Sequence, residues 1–186
     1  MDLREKKTKR SIKNAFIQLR SEKPLEKISV KELAELAEIS KATFYLHYHD
    51  IYDLSEQLQW EVLQNVLNSL PNPEICLTDS ALFTDQLFHA FHAHQALIDI
   101  LFSGSQSSVL PVNIEKGLKD YIFSLLPESK DDPKLNILLT YEIMGGFYTY
   151  QMYHNKYGID TIMDVLKGVL DRSYEKEHSG ILDIEL

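Results

Sequence analysis

Two helix starts lie eleven residues apart, and they restrict the fold of this chain more than any other feature of its sequence. In the first, Ile28–Leu33, Ser29 is the N-cap, Glu32 completes a capping box, and the two end residues form a hydrophobic staple. The second, Ile39–Phe44, repeats the staple with Ser40 as N-cap. The intervening helix has room for about two turns. The spacing therefore predicts two short helices that meet at a tight turn.

Helices this short do not recover their nucleation cost in water, so they must pack on a third helix. An amphipathic helix is predicted directly upstream, ending before Pro24, from an apolar stripe at i, i+3, i+4 and i+7. The stripe is Ile12, Ala15, Phe16 and Leu19. The side chains expected to pack on it are Leu33, Ala34, Leu36, Ala37, Ile39 and Phe44. A three-helix module of this kind is a helix-turn-helix.

The segment Ser29–Tyr48 resembles the motif of the TetR-type (tetracycline repressor-like) transcriptional regulators. That motif reads like Thr-Val-x-x-Ile-Ala-x-x-Ala-Gly-Val-Ser-x-Gly-Thr-Phe-Tyr-x-His-Phe; here it reads Ser-Val-Lys-Glu-Leu-Ala-Glu-Leu-Ala-Glu-Ile-Ser-Lys-Ala-Thr-Phe-Tyr-Leu-His-Tyr. The resemblance covers about residues 8–55. It implies an all-α protein with a three-helix DNA-binding domain at residues 1–50, joined to a helical ligand-binding and dimerisation domain at residues 51–186.

By this resemblance, the helix at about residues 40–48 lies in the major groove of double-stranded DNA. Lys41 and Thr43 would reach base edges or phosphates, and tyrosine and histidine side chains further along would donate to phosphates. The DNA-binding candidates are Ser29, Lys31, Ser40, Lys41, Ala42, Thr43, Tyr45, Leu46, His47 and Tyr48. Packing on the protein surface is the alternative role for both tyrosines.

Two residues depart from the family pattern. Glu38 occupies the turn position at which glycine usually supplies a left-handed backbone, at a cost of about 1 kcal/mol. It also places negative charge near the docking surface. Ile51 stands where the family often has a lysine able to reach a phosphate. We therefore expect a helix-turn-helix whose contacts with DNA are weaker than is usual for the family.

The charge is distributed unevenly along the chain. The net charge is −9, yet residues 1–50 carry eleven Lys/Arg against eight Asp/Glu, net +3, which leaves −12 for residues 51–186. The basic residues near the N-terminus are Arg4, Lys6, Lys7, Lys9, Arg10, Lys13 and Arg20, opposed there only by Asp2 and Glu5. They predict a local basic patch that suits a nucleic-acid partner. A merely solubilising N-terminus is the alternative.

The remainder of the chain is predicted to be helical. A fourth helix is expected to begin after Asp50 as N-cap and to link the two regions through an apolar stripe from Ile51 to Leu70. The further helices are predicted at about 79–102, 110–126, 133–157 and 160–176. No strand pattern competes.

The helix predicted at 133–157 is apolar around most of its circumference and contains Gly145-Gly146, which indicates a close helix approach or a kink. A reader of palindromic DNA normally needs a twofold partner, so a homodimer is expected. The dimer-face candidates are Gly145, Tyr153, Ile162, Leu166 and Val169. Ordinary monomer core is the alternative role for this face.

Aromatic side chains with polar tips can line an apolar cavity for a small-molecule effector. The candidates for such a pocket are Trp60, His89, Phe91, His92, Tyr141, Phe147 and Tyr148. Packing in the core is the alternative for each of them, because composition alone does not separate a pocket from a core.

Several other classes of protein are not favoured. The single Cys76 excludes an internal disulfide, and of three neighbouring histidines only His89 and His92 share a helix face, so neither a metal site nor a cofactor is expected. No catalytic motif, membrane-spanning run or signal-peptide stretch is recognised. The sequence thus predicts a cytoplasmic, non-enzymatic homodimeric repressor released by a small-molecule effector. The alternative is a regulator-fold coactivator acting through protein contacts of its C-terminal domain.

Overall fold

A computed structural model gives the structure of the protein; it describes residues 3–72 and 74–178, with side-chain surroundings up to residue 169. Its α-helices are α1 (Leu3–Glu22), α2 (Val30–Leu36), α3 (Lys41–Tyr45), α4 (Ile51–Asn68), α5 (Ile75–Thr78), α6 (Ser80–Ala93), α7 (Gln95–Leu101), α8 (Val109–Leu125), α9 (Pro133–Tyr157) and α10 (Ile159–His178). Short 3-10 helices lie at Leu25–Lys27, Gly104–Gln106 and Pro127–Ser129. The described residues contain no strand, so the predicted all-α class is confirmed.

Contacts between Cα atoms divide the chain into two units. The first comprises Met1–Asn65 and His94–Asn113, and the second comprises Val66–Ala93 and Ile114–Leu186. These contacts group most of α4 and all of α7 with α1, α2 and α3. The functional boundary predicted at residue 50 stays a prediction.

The core of the first unit forms around the predicted apolar stripe of α1. All four stripe residues are buried, and Phe16 is fully enclosed together with Phe44 of α3. Helix α1 contacts α2 on one side and α7 on another, and α7 contributes Ile98 and Leu101 to the core. Full burial of one such side chain is worth about 1.5–3 kcal/mol. The short helices α2 and α3 therefore owe their stability to packing and not to their own length.

Both predicted N-caps are present. The Ser29 hydroxyl accepts the backbone N–H of Glu32 at 3.2 Å, and the Ser40 hydroxyl accepts that of Thr43 at 3.0 Å. The capping box at Glu32 is wrong, because its carboxylate pairs with the Lys23 ammonium at the end of α1. A full positive charge within reach is a stronger partner than a neutral backbone N–H.

The turn between α2 and α3 has the left-handed residue that the sequence predicts. Glu38 has φ 55°, and among the described residues it is the only non-glycine with positive φ. The Ile39 N–H donates to the Ala34 carbonyl at 2.9 Å, and the Glu38 N–H donates to the Glu35 carbonyl at 3.2 Å. This pair of bonds is the Schellman arrangement, which requires a left-handed residue at the position of Glu38.

Two predicted elements differ from the observed ones, and one observed helix was not predicted. Helix α3 ends at Tyr45, although the chain continues to wind through His47 in a turn. The helix predicted over 79–102 is interrupted at His94, where ψ is 4°, and forms α6 and α7. Helix α5 was not predicted. The interruption has a packing reason: α6 contacts α5 and α10 in the second unit, whereas α7 contacts α1 in the first.

In the second unit, the Gly145-Gly146 pair lies in the middle of α9. A Cβ atom added at Gly146 would lie 3.5 Å from the Phe88 ring of α6, so the predicted close helix approach is found at this glycine. Gly145 is exposed instead, with nothing within 4 Å of an added Cβ. A separate small cluster of buried side chains joins α8 and α9: Ile122, Phe123 and Leu139.

None of the helices within the described residues combines the length and the apolar character needed to cross a membrane.

Candidate nucleic-acid interface

Helix α3 divides its side chains sharply between core and solvent. Phe44 is completely buried, whereas Tyr45 is 56% exposed and Leu46 is 81% exposed. The exposed residues of this helix and its caps, called here the α3 surface, are Ser40, Lys41, Ala42, Tyr45 and Leu46. The Ser40 cap and the Phe44 anchor hold this surface at a defined angle on the first unit. It offers one cation, one phenol and two apolar side chains to a partner.

Tyr48 does not belong to this surface, and the expectation that it is an exposed donor is wrong. It is only 8% exposed, and its ring lies 5.7 Å from the ring of Phe44. Burial raises the pKa of its hydroxyl, and the carboxylates of Glu61 and Asp53 add to the effect. The cause is the turn after α3, in which the Tyr48 N–H still donates to the Phe44 carbonyl at 3.0 Å. Tyr48 therefore falls on the buried face, one helical turn beyond Phe44.

The other DNA-binding candidates are less freely presented. Thr43 is half-buried, and its hydroxyl lies 2.8 Å from that of Ser40, so it is engaged in the cap. His47 is half-buried beside Tyr48. Ser29 is exposed but serves as the N-cap of α2, and the exposed Lys31 lies 3.9 Å from a carboxylate oxygen of Glu35.

The connection from α3 to α4 is fixed by two aspartates. Asp50 caps α4 as predicted, since its Oδ1 accepts the backbone N–H groups of Tyr52 and Asp53 at 2.8 Å each. Asp53 reaches back and accepts the His49 N–H at 2.7 Å. This bond, followed by one from Gln57, lowers the pKa of the Asp53 carboxyl. The two carboxylates thus hold the end of the α3 segment against the start of α4.

Ile51, where the family often has a lysine, is buried in the core of the first unit. A lysine at this position would have to bury its stem in that core while its ammonium reached for solvent. The isoleucine therefore suits its apolar surroundings, and this position offers no cation to a partner.

Sequence reasoning missed a set of buried polar contacts within the first unit. Arg20 was assigned to the basic patch, but it is 4% exposed and donates to the Ser103 hydroxyl at 2.7 Å and to the Lys23 carbonyl at 3.1 Å. Burial lowers its pKa, an effect that nearby Glu26 opposes. The buried Gln59 of α4 donates to the Leu101 carbonyl at 3.0 Å. Together these side chains tie α1 and α4 to the segment that follows α7.

A sequence signal for Arg20 does exist. It follows Phe16 by four residues, which places both on one face of α1, and Phe16 belongs to the buried stripe. No comparable signal identifies Ser103 as the partner, because the two residues lie 83 positions apart.

The residues predicted to line a ligand pocket are dispersed. Trp60 is half-buried in the first unit; the remaining six lie in the second unit. His89, His92, Tyr141 and Tyr148 are exposed, while Phe91 and Phe147 are half-buried. This exposure is not the enclosure that an apolar pocket gives its lining residues. The pocket as a whole stays a prediction.

One of these residues does line a surface groove. Tyr141 borders an open groove of about 490 Å³ between α8 and α9, together with Lys119, Asn136, Ile137 and Thr140. At its floor the Lys119 ammonium donates to the Thr140 hydroxyl at 2.7 Å. Two of the other candidates contact neighbouring side chains: His89 lies 3.7 Å from an Asp85 carboxylate oxygen, and His92 lies 3.3 Å from the Tyr150 hydroxyl.

The predicted dimer face requires one correction. Ile162 is only 4% exposed and packs inside its own chain, so it is not available to a partner. Gly145, Tyr153 and Val169 are exposed, and Leu166 is half-buried. Ile162 lies on the face of the amphipathic helix α10 that packs against its own chain, whereas Val169 lies on a face that is exposed.

A longer apolar stripe lies exposed on α9. Its residues, called here the α9 stripe, are Ile137, Tyr141, Gly145, Tyr148 and Met152. They follow one another by four, four, three and four positions, the spacing of a single helix face. Tyr141 is 75% exposed. Sequence reasoning missed Ile137, although this spacing was visible.

Two further features bear on the chemistry. Among the described residues, no group of three or more histidine, cysteine or acidic side chains is arranged to hold a metal ion. Cys76 is half-buried beside the small cluster of α8 and α9, and burial raises the pKa of its thiol.

Comparisons with protein-family models, with curated proteins and with solved structures found no match to this chain. The resemblance to TetR-type regulators therefore rests on the residues of the motif alone.

Proposed function

We propose that this chain is a DNA-binding transcriptional regulator of the TetR type. In this proposal a homodimeric repressor reads a palindromic operator with the α3 surface of each protomer. A small-molecule effector bound in the C-terminal domain releases it. The observation that carries the proposal is the division of α3, in which Phe44 is fully buried and its neighbours Tyr45 and Leu46 are exposed.

An exposed tyrosine and leucine on a short, rigidly held helix suit a major groove. A helix fits this groove, where thymine methyl groups offer apolar contacts and base edges offer hydrogen-bond partners. Leu46 and Ala42 supply the apolar contacts, Lys41 supplies a cation for phosphate or guanine, and Tyr45 supplies a hydroxyl. The α2–α3 pair then acts as a helix-turn-helix.

The α9 stripe supports the homodimer. Exposed apolar side chains in a continuous row mark interaction surfaces in most proteins, and a twofold partner presents the same row in return. In this proposal two copies of the stripe pack on each other, and the exposed Gly145, three positions before Tyr148, leaves room for a partner side chain. We expect Met152→Asp to halve the mass measured by sedimentation, whereas an unchanged mass would refute this assignment.

The decisive experiment is selection of binding sites from random double-stranded DNA, followed by gel-shift assays. The wild-type protein should enrich a palindromic site, and K41A/Y45A should lose it with unchanged helical content and dimerisation. The matched control is K156A/Y157A, which removes an exposed lysine and tyrosine from the end of α9. If folded, dimeric wild-type protein enriches no palindrome, the repressor proposal fails.

A coactivator acting through protein contacts of the C-terminal domain remains the second candidate. It is favoured by the negative charge of Glu38 beside α3 and by the buried Ile51, which together weaken attraction to phosphate. The same selection separates the two, because a coactivator enriches no DNA site by itself. A cytoplasmic location is part of either proposal, and native mass spectrometry of freshly purified protein tests for a bound effector.

A further inference from the structure

The first turns of α1 carry an unusual concentration of positive charge. Six of the ten residues from Arg4 to Lys13 are Lys or Arg, and Glu5 is the only acidic residue among them. This concentration occurs in a protein whose net charge is −9. The N-terminal end of a helix carries the positive pole of its macrodipole, where cations are disfavoured. For Arg4 and Lys6, which lie in the first turn of α1, this position is therefore unfavourable.

The chain neutralises only part of this charge. The Lys9 ammonium lies 3.3 Å from a carboxylate oxygen of Glu5, and Lys13 lies 2.6 Å from one of Glu61 on α4. Among the described residues, Lys6, Lys7 and Arg10 take part in no ion pair, and all three are exposed. These three side chains, called here the α1 cations, are available to an anionic partner.

Helix geometry places Lys7 in the row of α1 residues that borders the end of α2 and the α2–α3 turn. Lys7 lies in the same row of α1 as Ser11, Asn14 and Gln18, at i+4, i+7 and i+11. Those three residues line a surface groove together with Leu36, Ala37 and Glu38 of the turn. Lys7 therefore continues this row of α1, one helical turn before Ser11. Lys6 and Arg10 stand one turn apart on the neighbouring outer face.

We infer that Lys6, Lys7 and Arg10 contact the phosphate backbone of duplex DNA beside the site read by the α3 surface. This inference rests on the proposed function and deepens it. The α3 surface supplies a single cation, Lys41, and Glu38 opposes it. The α1 cations provide the positive charge that this surface lacks. Duplex DNA presents a phosphate about every 1.7 Å along its axis, so flexible cations at helical spacing find several partners.

The test measures the salt dependence of binding to the operator and to a random duplex by fluorescence anisotropy. Each phosphate contact contributes about 0.9 to the slope of log K against log salt concentration. In K6Q/K7Q/R10Q the slope should fall by about 2.7 per protomer, or about 5 for a dimer. Because phosphate contacts carry no sequence information, affinity should fall by the same factor on both duplexes.

Three controls make the result specific. K130Q/K134Q/K156Q removes three exposed lysines from the second unit and should leave the slope unchanged. K6R/K7R keeps the charge and should keep the wild-type slope. Glutamine is nearly as good a helix former as lysine, and removal of the Lys6 cation from the first turn of α1 is favourable. The triple variant should therefore melt no lower than the wild type, which separates loss of contact from loss of fold.

The outcomes distinguish this inference from the proposed function. If the wild type binds its operator and K6Q/K7Q/R10Q keeps the wild-type slope, the inference is wrong and the proposed function stands. If the triple variant changes only self-association at low salt, the α1 cations bind an acidic protein surface, and the inference is equally wrong. If the wild type binds no duplex at any salt concentration, both fail together.

Discussion

Replacing Glu38 with glycine should stabilise the protein, because Glu38 holds a backbone conformation that suits glycine. Its φ is 55°, and two Schellman hydrogen bonds of α2 depend on that value. A residue with a side chain costs about 1–2 kcal/mol in this region. Glycine also makes the unfolded chain more flexible, and this lowers the free energy of unfolding by about 0.5–1 kcal/mol. The net increase in the free energy of unfolding is about 0.5–1 kcal/mol.

The assay is thermal and urea unfolding of Glu38→Gly beside Glu38→Gln. For a chain of this length, the expected gain corresponds to a rise in Tm of about 1–4 °C. Glutamine removes the charge but keeps the side chain, so Glu38→Gln should melt close to the wild type. If Glu38→Gln is stabilised as much as Glu38→Gly, the charge and not the backbone is responsible. If Glu38→Gly is no more stable than the wild type, the turn is not strained and the reasoning is refuted.

The same two variants test the electrostatic effect of Glu38 on DNA binding. A unit charge about 10 Å from a phosphate is worth about 0.4 kcal/mol in water before salt screening. Both variants remove the charge, so both should bind the operator more tightly by a similar factor, about twofold per protomer or about fourfold for a dimer at low salt. A gain confined to Glu38→Gly would show that the shape of the turn, and not its charge, limits binding.

Two further predictions concern contacts inside the first unit. Arg20→Met leaves the Ser103 hydroxyl and its neighbouring carbonyls without their buried donor, and we expect it to cost about 2 kcal/mol by urea unfolding; an unchanged urea midpoint would show that this network contributes nothing. Asp53→Asn weakens the bond from the His49 N–H. The pKa of Asp53 is lowered on folding, so its stabilising contribution is complete above the unfolded value near 3.8 and is lost as pH falls through the lower folded value. The difference in Tm between wild type and Asp53→Asn should therefore be fully present at pH 7 and shrink as the pH falls below 3.8, and a difference independent of pH would contradict this assignment.

Local features of the fold were predictable from short stretches of sequence. The caps at Ser29 and Ser40, the left-handed Glu38 and the cap at Asp50 all depend on residues within about four positions of each other. In such cases the side chain and the backbone group that it satisfies are neighbours along the chain, so residue type and spacing are sufficient. The exposed Tyr45 and the buried Phe44 follow from the same helical period.

Predictions failed where a side chain had more than one partner within reach. The Glu32 carboxylate could accept a backbone N–H at the start of α2 or pair with the Lys23 ammonium, and in the structure it pairs with Lys23. Tyr48 could face solvent or pack beside Phe44 in the core. It is buried, because the chain continues in a helical turn after α3 and the Tyr48 N–H donates to the Phe44 carbonyl. The sequence contains both options in each case. The choice depends on where α1 and α3 end, which is the least predictable property of a helix.

The sequence by itself thus determined the helical class, the two capped short helices and the α3 surface, because these arise from interactions between near neighbours. Only the tertiary structure decided that Arg20 is bonded to Ser103, 83 positions away, and that Ile162 faces its own core. It also decided that the chain breaks at His94 to place α6 and α7 in different units. These features depend on packing between segments that are distant in the sequence, and the spacing of neighbouring residues does not specify such packing.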